Sequence, residues 1–217
     1  MVAGGSGTRF GAEKQFLLLR GKPVVAWAVG AARPVADGVV VVVPDGHGGA
    51  GPAGSTPADD RYGADLVVPG GRTRSASVRA GLRAVPEDAA VIVVHDAARP
   101  LAPASLFAAV IDAVRAGDAG AVPVLAVSDT LKRVVDGMVG GTVERQGMAT
   151  VQTPQAFQAA TLRAAHAASG DATDDAALVE AVGGQVRAVP GDPLNVKLTN
   201  PGDLLLAEAL LGIVERG

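Results

Sequence analysis

The sequence predicts an α/β fold, a mostly parallel sheet with helices on both faces and a protruding β-arm. Three observations lead there: short continuous apolar runs recur, helix-length amphipathic stretches separate them, and one segment of paired turn signals breaks the alternation. Residues 39–43 are an unbroken β-branched run. Such a run lacks the alternation of a half-wet strand and reads as a strand buried on both sides. Residues 90–94 and 119–127 read the same way. Residues 73–85 and 103–116 are expected helices; the second carries Leu106, Val110, Ile111 and Val114 three and four apart, a stripe that packs on a sheet. Pro103 fits its first turn. Residues 157–168 are helical in pattern, and Thr173 is expected to cap a helix through Val182, with Asp174 and Asp175 at its positive end. A strand at 195–199 and a helix from about Pro201 close the chain.

Two segments stand apart. Residues 45–60 are rich in Gly, Pro and Ala, too poor in packing side chains to order themselves, and are expected to be a mobile loop, with a functional lid as the alternative. Residues 131–145 place strand-like residues around Asp136-Gly137 and Gly140-Gly141, the signature of a β-hairpin. A two-stranded ribbon is marginal alone in water, so this arm, at about residues 131–150, is expected on a second subunit. No repeat or linker divides the chain; residues 1–217 read as a single domain.

Composition removes several function classes. With 19 Lys+Arg against 22 Asp+Glu the formal charge is -3, which argues against nucleic-acid partners and against a polybasic membrane binder. Aromatic residues are only 3%, too few for single-strand stacking platforms. Cys is absent, so no thiolate nucleophile or Cys-ligated metal exists, and His47, His95 and His166 are scattered. No run approaches the roughly 20 apolar residues of a membrane span, and a cytoplasmic location is expected.

The most informative segment is Gly4-Gly5-Ser6-Gly7-Thr8-Arg9-Phe10-Gly11 with Lys14-Gln15 behind it. Its glycines let backbone N–H groups turn toward a ligand, and Arg9 and Lys14 add positive charge, chemistry that suits a polyphosphate. The third Gly of a dinucleotide fingerprint falls one residue late, and Lys14 is not followed by Ser or Thr as in a P-loop. A plain strand-to-helix turn is the other reading. Downstream, the apolar run ends in His95-Asp96-Ala97-Ala98-Arg99, which puts polar groups at the carboxyl edge of the sheet. There Asp96 either holds a divalent metal against phosphate oxygens or caps the next turn. His95 is read as structural.

AGGSGTRFGAEKQ, GGRTRSASV, VHDAARP, TLKR, VERQG, VQTPQAF, TDDAALVE and NVKLT, in this order, make the chain resemble 2-C-methyl-D-erythritol 4-phosphate cytidylyltransferases over nearly its whole length. The resemblance implies a Rossmann-like nucleotidyltransferase fold, a homodimer made through the arm, and transfer of CMP from CTP to methylerythritol phosphate with Mg2+. It implies that Ala3, Gly4, Gly5, Ser6 and Gly7 cradle CTP, and that Arg9 and Lys14 stabilise developing charge. Gly71, Arg74 and Ser77 would hold the cytosine side, with Ala97 beside the nucleotide. Asp96 would stand by the metal and both substrates. Arg99, Thr130, Thr153, Thr173 and Lys197 would line the acceptor pocket, Lys197 also meeting the transition state, and Arg145 would reach a partner's pocket. Lys132 and Arg133 are read as a solvated face. The chain departs from the family pattern in having only Met1 and Val2 before Ala3, Gly4 for a usual Ala, and Glu13 for a usual Pro. D-ribitol 5-phosphate cytidylyltransferase, and a non-catalytic paralogue acting as a binding module, are the alternatives.

Overall fold

The computed structural model describes residues 1–4, 10, 13–44, 56–57, 62–168 and 170–214. In chain order the elements are β1 (Leu18–Leu19), β2 (Lys22–Pro23), α1 (Val24–Ala32), β3 (Val40–Val43), β4 (Thr56–Pro57), β5 (Leu66–Pro69), α2 (Arg74–Ala84) and β6 (Val91–Val94). There follow α3 (Ala104–Arg115), β7 (Gly120–Ala126), β8 (Leu131–Val135), β9 (Met138–Val143), β10 (Ala149–Val151) and β11 (Gln155–Gln158). The last are α4 (Ala159–Ala168), α5 (Asp175–Ala181), β12 (Val186–Pro190) and α6 (Pro201–Val214).

β3 and β5 pair in parallel, as do β7 and β12, while β11 runs antiparallel between β6 and β7. The first residues join the two halves of the sheet. Val2 bridges Val42 and Asp96 in parallel; its N–H donates to His95 O at 2.8 Å, and Ala97 N donates to Val2 O at 3.0 Å. On the other side Ala3 N donates to Val42 O at 2.7 Å. The Val2 segment, β3, β5, β6, β7 and β12 therefore share one direction and β4, β10 and β11 oppose it: the sheet is mostly parallel, as the apolar runs predict.

Helices cover both faces. Val41 and Val43 pack with Val25, Val29 and Phe107 of α1 and α3, whereas Ile92, Val94, Val122 and Phe157 pack with Val78, Leu82, Leu162 and Val179 of α2, α4 and α5. The predicted stripe of α3 is buried throughout. Val42 points at α2, where a Cβ on Gly81 would lie 3.0 Å from its Cγ2, so glycine permits the close approach.

Four expectations are corrected. Phe157 begins no helix: Ala156 and Phe157 alternate between the two cores as a strand between β6 and β7, and helix starts only at Ala159. Residues 195–199 form no strand, because Asn195 is committed to Gln152, Thr153 and Arg99. The cap of α5 is Asp174, whose carboxylate accepts from Ala177 N, not Thr173; and Pro103 sits at the N-cap of α3 with extended backbone. The hairpin is present as β8 and β9, and both Lys132 and Arg133 on it are exposed. Of residues 45–60, only Thr56–Pro57 lie within the described residues, as an edge strand on β5.

Candidate active site

β6 ends at Val94, and the next two residues leave the sheet beside the Val2 segment. His95 is fully buried, with Nε2 against Arg99 O and Nδ1 against Thr153 Oγ1, both at 3.1 Å. Thr153 lies in the break between β10 and β11, and its Oγ1 also accepts from Asp96 N at 3.1 Å. His95 is thus structural, as read from the sequence: burial pushes its pKa down from 6.5 to about 3, and the Arg99 carbonyl and Asp96 charge oppose this only in part.

Asp96 is the centre of the cluster. Lys197 Nζ donates to Oδ2 at 2.6 Å, and Arg74 Nε lies 3.4 Å from Oδ1. Burial alone would raise the Asp96 pKa, but the charges of Lys197 and Arg74 outweigh it and hold the carboxyl well below the usual range. Lys197 reaches across 101 residues because its segment is tied down on either side. Arg99 Nη1 donates to Asn195 O at 2.7 Å, Leu198 N donates to Ala98 O at 2.8 Å, and Asn195 Nδ2 donates to Thr153 O at 2.9 Å.

α2 brings its first turn to the same edge. Thr73 caps it through Ala76 N, and Ser77 Oγ accepts from Gly71 N at 3.1 Å and donates to Thr73 O at 3.0 Å. A Cβ on Gly4 would stand 2.9 Å from that Oγ, so alanine here would require the Ser77 hydroxyl to turn aside. Ala3 and Ala97 are buried beside it.

The structure therefore brings together Ala3, Gly4, Gly71, Arg74, Ser77, Asp96, Ala97, Arg99, Thr153 and Lys197. Lys14 opens a short 3-10 turn (Lys14–Phe16). Thr130 and Thr173 are exposed, and Arg145 Nη1 donates to Val127 O at 2.9 Å and to Ser128 O at the ribbon's base. Gly5, Ser6, Gly7 and Arg9 lie outside the described residues. Sequence reasoning missed Gln152, which bonds Asp192 and Asn195, and Asn195 itself. Both stand inside quoted segments, VQTPQAF and NVKLT, but an amide there signals no chemistry of its own, and it is burial that marks the pair.

A clamped carboxylate at the carboxyl edge of the sheet, beside Ala3 and Gly4, suits phosphate chemistry. Residues 1–213 match the family described as 2-C-methyl-D-erythritol 4-phosphate cytidylyltransferase. The chain belongs to that family. An enzyme of this name from Nocardia farcinica is 46% identical, the alignment covering 96% of this chain and 91% of that one. A bifunctional enzyme IspD/IspF from Clavibacter michiganensis is 47% identical over 97% of this chain, which spans 53% of that longer relative. The crystal structure of the 2-C-methyl-D-erythritol 4-phosphate cytidylyltransferase from Thermus thermophilus superposes with a TM-score of 0.79 at 38% identity, over 96% of both chains. As a family member the chain is an enzyme, a cytidylyltransferase of isoprenoid precursor synthesis. No helix among the described residues is long and apolar enough to cross a membrane.

Proposed function

We propose that the cluster around Asp96 is where this cytidylyltransferase joins CTP to 2-C-methyl-D-erythritol 4-phosphate. The observation that carries the reading is the Asp96 carboxylate held between Lys197 and Arg74 at the sheet edge, beside Ala3 and Gly4. An oxygen of the acceptor phosphate forms a bond to the α-phosphorus of CTP, the bond from that phosphorus to the β-phosphate oxygen breaks, and pyrophosphate leaves. The acceptor is a phosphate monoester whose second pKa is about 6, so most of it is a dianion at neutral pH and no general base is required. His95, buried and held neutral, is free of that duty. The barrier is charge repulsion and charge build-up, which Lys197, Lys14 and Arg9 counter by position and sign.

Ala3 to Gly7, Gly71, Arg74, Ser77 and Ala97 serve the nucleotide; Arg99, Thr130, Thr153 and Thr173 serve the acceptor. A Mg2+ ion fits the donor set: it needs one or two carboxylates beside substrate phosphates, and Asp96 keeps acceptor lone pairs beyond the two used by Lys197 and Arg74. Bound there it would neutralise phosphate charge. The enzyme acts in the cytoplasm as a homodimer through the β8–β9 ribbon, with Arg145 facing the partner's acceptor, and takes neither nucleic acid nor membrane as a partner. The test offers CTP and Mg2+ with either methylerythritol phosphate or ribitol phosphate and measures pyrophosphate. Release with the first is expected; release with ribitol phosphate alone would refute the acceptor, and release with neither would favour a binding module.

A further inference from the structure

Behind Arg74 lies a buried ionic cluster that the reaction as described does not use. Asp175 is fully buried at the start of α5. Its Oδ2 lies 2.8 Å from Arg74 Nη1, and its Oδ1 accepts from Nε2 of His166 on α4 at 2.9 Å. His166 is buried too, and its Nδ1 has no hydrogen-bond partner among the described residues. A line of contacts thus runs from α4 through α5 and α2 to the sheet edge: His166, Asp175, Arg74, Asp96.

Stability is a poor reason for this arrangement. Capping of α5 is already done by Asp174, so Asp175 is not needed for it. A buried carboxylate costs more to desolvate than a well-packed apolar side chain would, and buried ion clusters are weak stabilisers. What the cluster does supply is direction. Arg74 carries a planar guanidinium, and Asp175 Oδ2 lies against its Nη1 as a close ion pair, without hydrogen-bond geometry, while Nε faces Asp96. With Lys197 on the other oxygen, the Asp96 carboxylate is fixed from two sides.

We propose that Asp175 and His166 are positioning residues for cytidylyl transfer: they orient Arg74, and through it the Asp96 carboxylate, without touching either substrate. The proposal rests on the reading of the Asp96 site given above. Small displacements of reacting groups are costly, so Asp175→Asn is expected to lower kcat by about 10- to 100-fold while the acceptor KM moves little. His166→Gln retains a donor near the Nε2 position and should stay within about threefold of wild type, whereas His166→Ala should fall toward Asp175→Asn. Adding His166→Ala to Asp175→Asn should cost nothing further, because both act through one path.

A second readout needs no turnover. The Arg74 Nε–Hε NMR signal should be sharp and slowly exchanging in the wild-type chain and lost in both Asp175→Asn and His166→Ala. Should Asp175→Asn fail to fold, the Gln and Ala variants at His166 carry the test. Variants that lose thermal stability yet keep kcat and the Arg74 signal would overturn the proposal. A wild-type chain that releases no pyrophosphate would instead defeat the reading of the site, and the NMR signal alone would then decide whether Asp175 and His166 orient Arg74.

Discussion

At the scale of single residues, charge at Asp96 is the feature most open to test. In Asp96→Asn, Arg74 keeps Asp175 as a partner, and the Lys197 side chain, 41% exposed, passes to solvent. The fold should therefore survive while turnover drops by roughly 10²- to 10³-fold, because the carboxylate that fixes Lys197 and would hold Mg2+ has lost its charge. Steady-state kinetics beside a thermal melt would separate the two effects, and near-normal kcat would contradict the assignment. His95 gives a prediction in pH. Its folded-state pKa of about 3 lies below its ordinary 6.5, so between those values the unfolded chain binds a proton that the folded chain refuses. The resulting stability is complete above about pH 6.5 and is lost as pH falls toward 3. Urea midpoints should decline from pH 7 to 4, with the His95 ring resonances unmoved over that range in the folded protein. A ring that titrates near 6.5 would show it is neither buried nor held by Thr153.

Among elements, the junction of β7 and β11 is tightly packed. A Cβ on Gly120 would meet the Phe157 ring at 2.5 Å, and Phe157 is fully buried with no space to retreat. Gly120→Ala should cost about 1–3 kcal/mol, the usual penalty of overpacking, measurable as a lower urea midpoint at unchanged slope. This junction also marks where sequence patterning ran out. Apolar runs gave β3, β6 and β7, and the stripe of Leu106, Val110, Ile111 and Val114 gave α3, since each has a period with one structural meaning. Phe157 had no such signal: a four-residue strand abutting α4 merges with the helical pattern, and only its placement between β6 and β7 separates them. In the site, Asp96 was legible from its place after an apolar run and Lys197 only through the family resemblance, and their contact, 101 residues apart, depends on Asn195 and Gln152, amides whose place is set by burial. Asp175 was legible only as a helix-start acid.

For the molecule as a whole, the ribbon of β8 and β9 is the surface that calls for a partner. Met138 is 74% exposed and Val139 66%, with Val134 and Val135 close behind, a run of apolar residues on a two-stranded element too small to stand alone. Arg145 sits at its base, on the carbonyls of Val127 and Ser128. If the ribbon crosses to a second copy, each active site takes Lys14 from one chain and Arg145 from the other. Arg145→Ala should then raise the acceptor KM by roughly 10- to 100-fold, the cost of one charged hydrogen bond, and leave the CTP KM nearly unchanged. Lys14→Ala should instead depress kcat. In a co-expressed mixture of the two variants, half of the dimers are mixed, and each mixed dimer holds one pocket with both side chains and one with neither. With the acceptor held well below the KM of the Arg145 variant, activity should recover to about a quarter of wild type, as the symmetry of a two-fold dimer requires. An enzyme whose Arg145 served its own chain would recover nothing, since every pocket would then lack one of the two, and under the same conditions the mixture would be no more active than its parents.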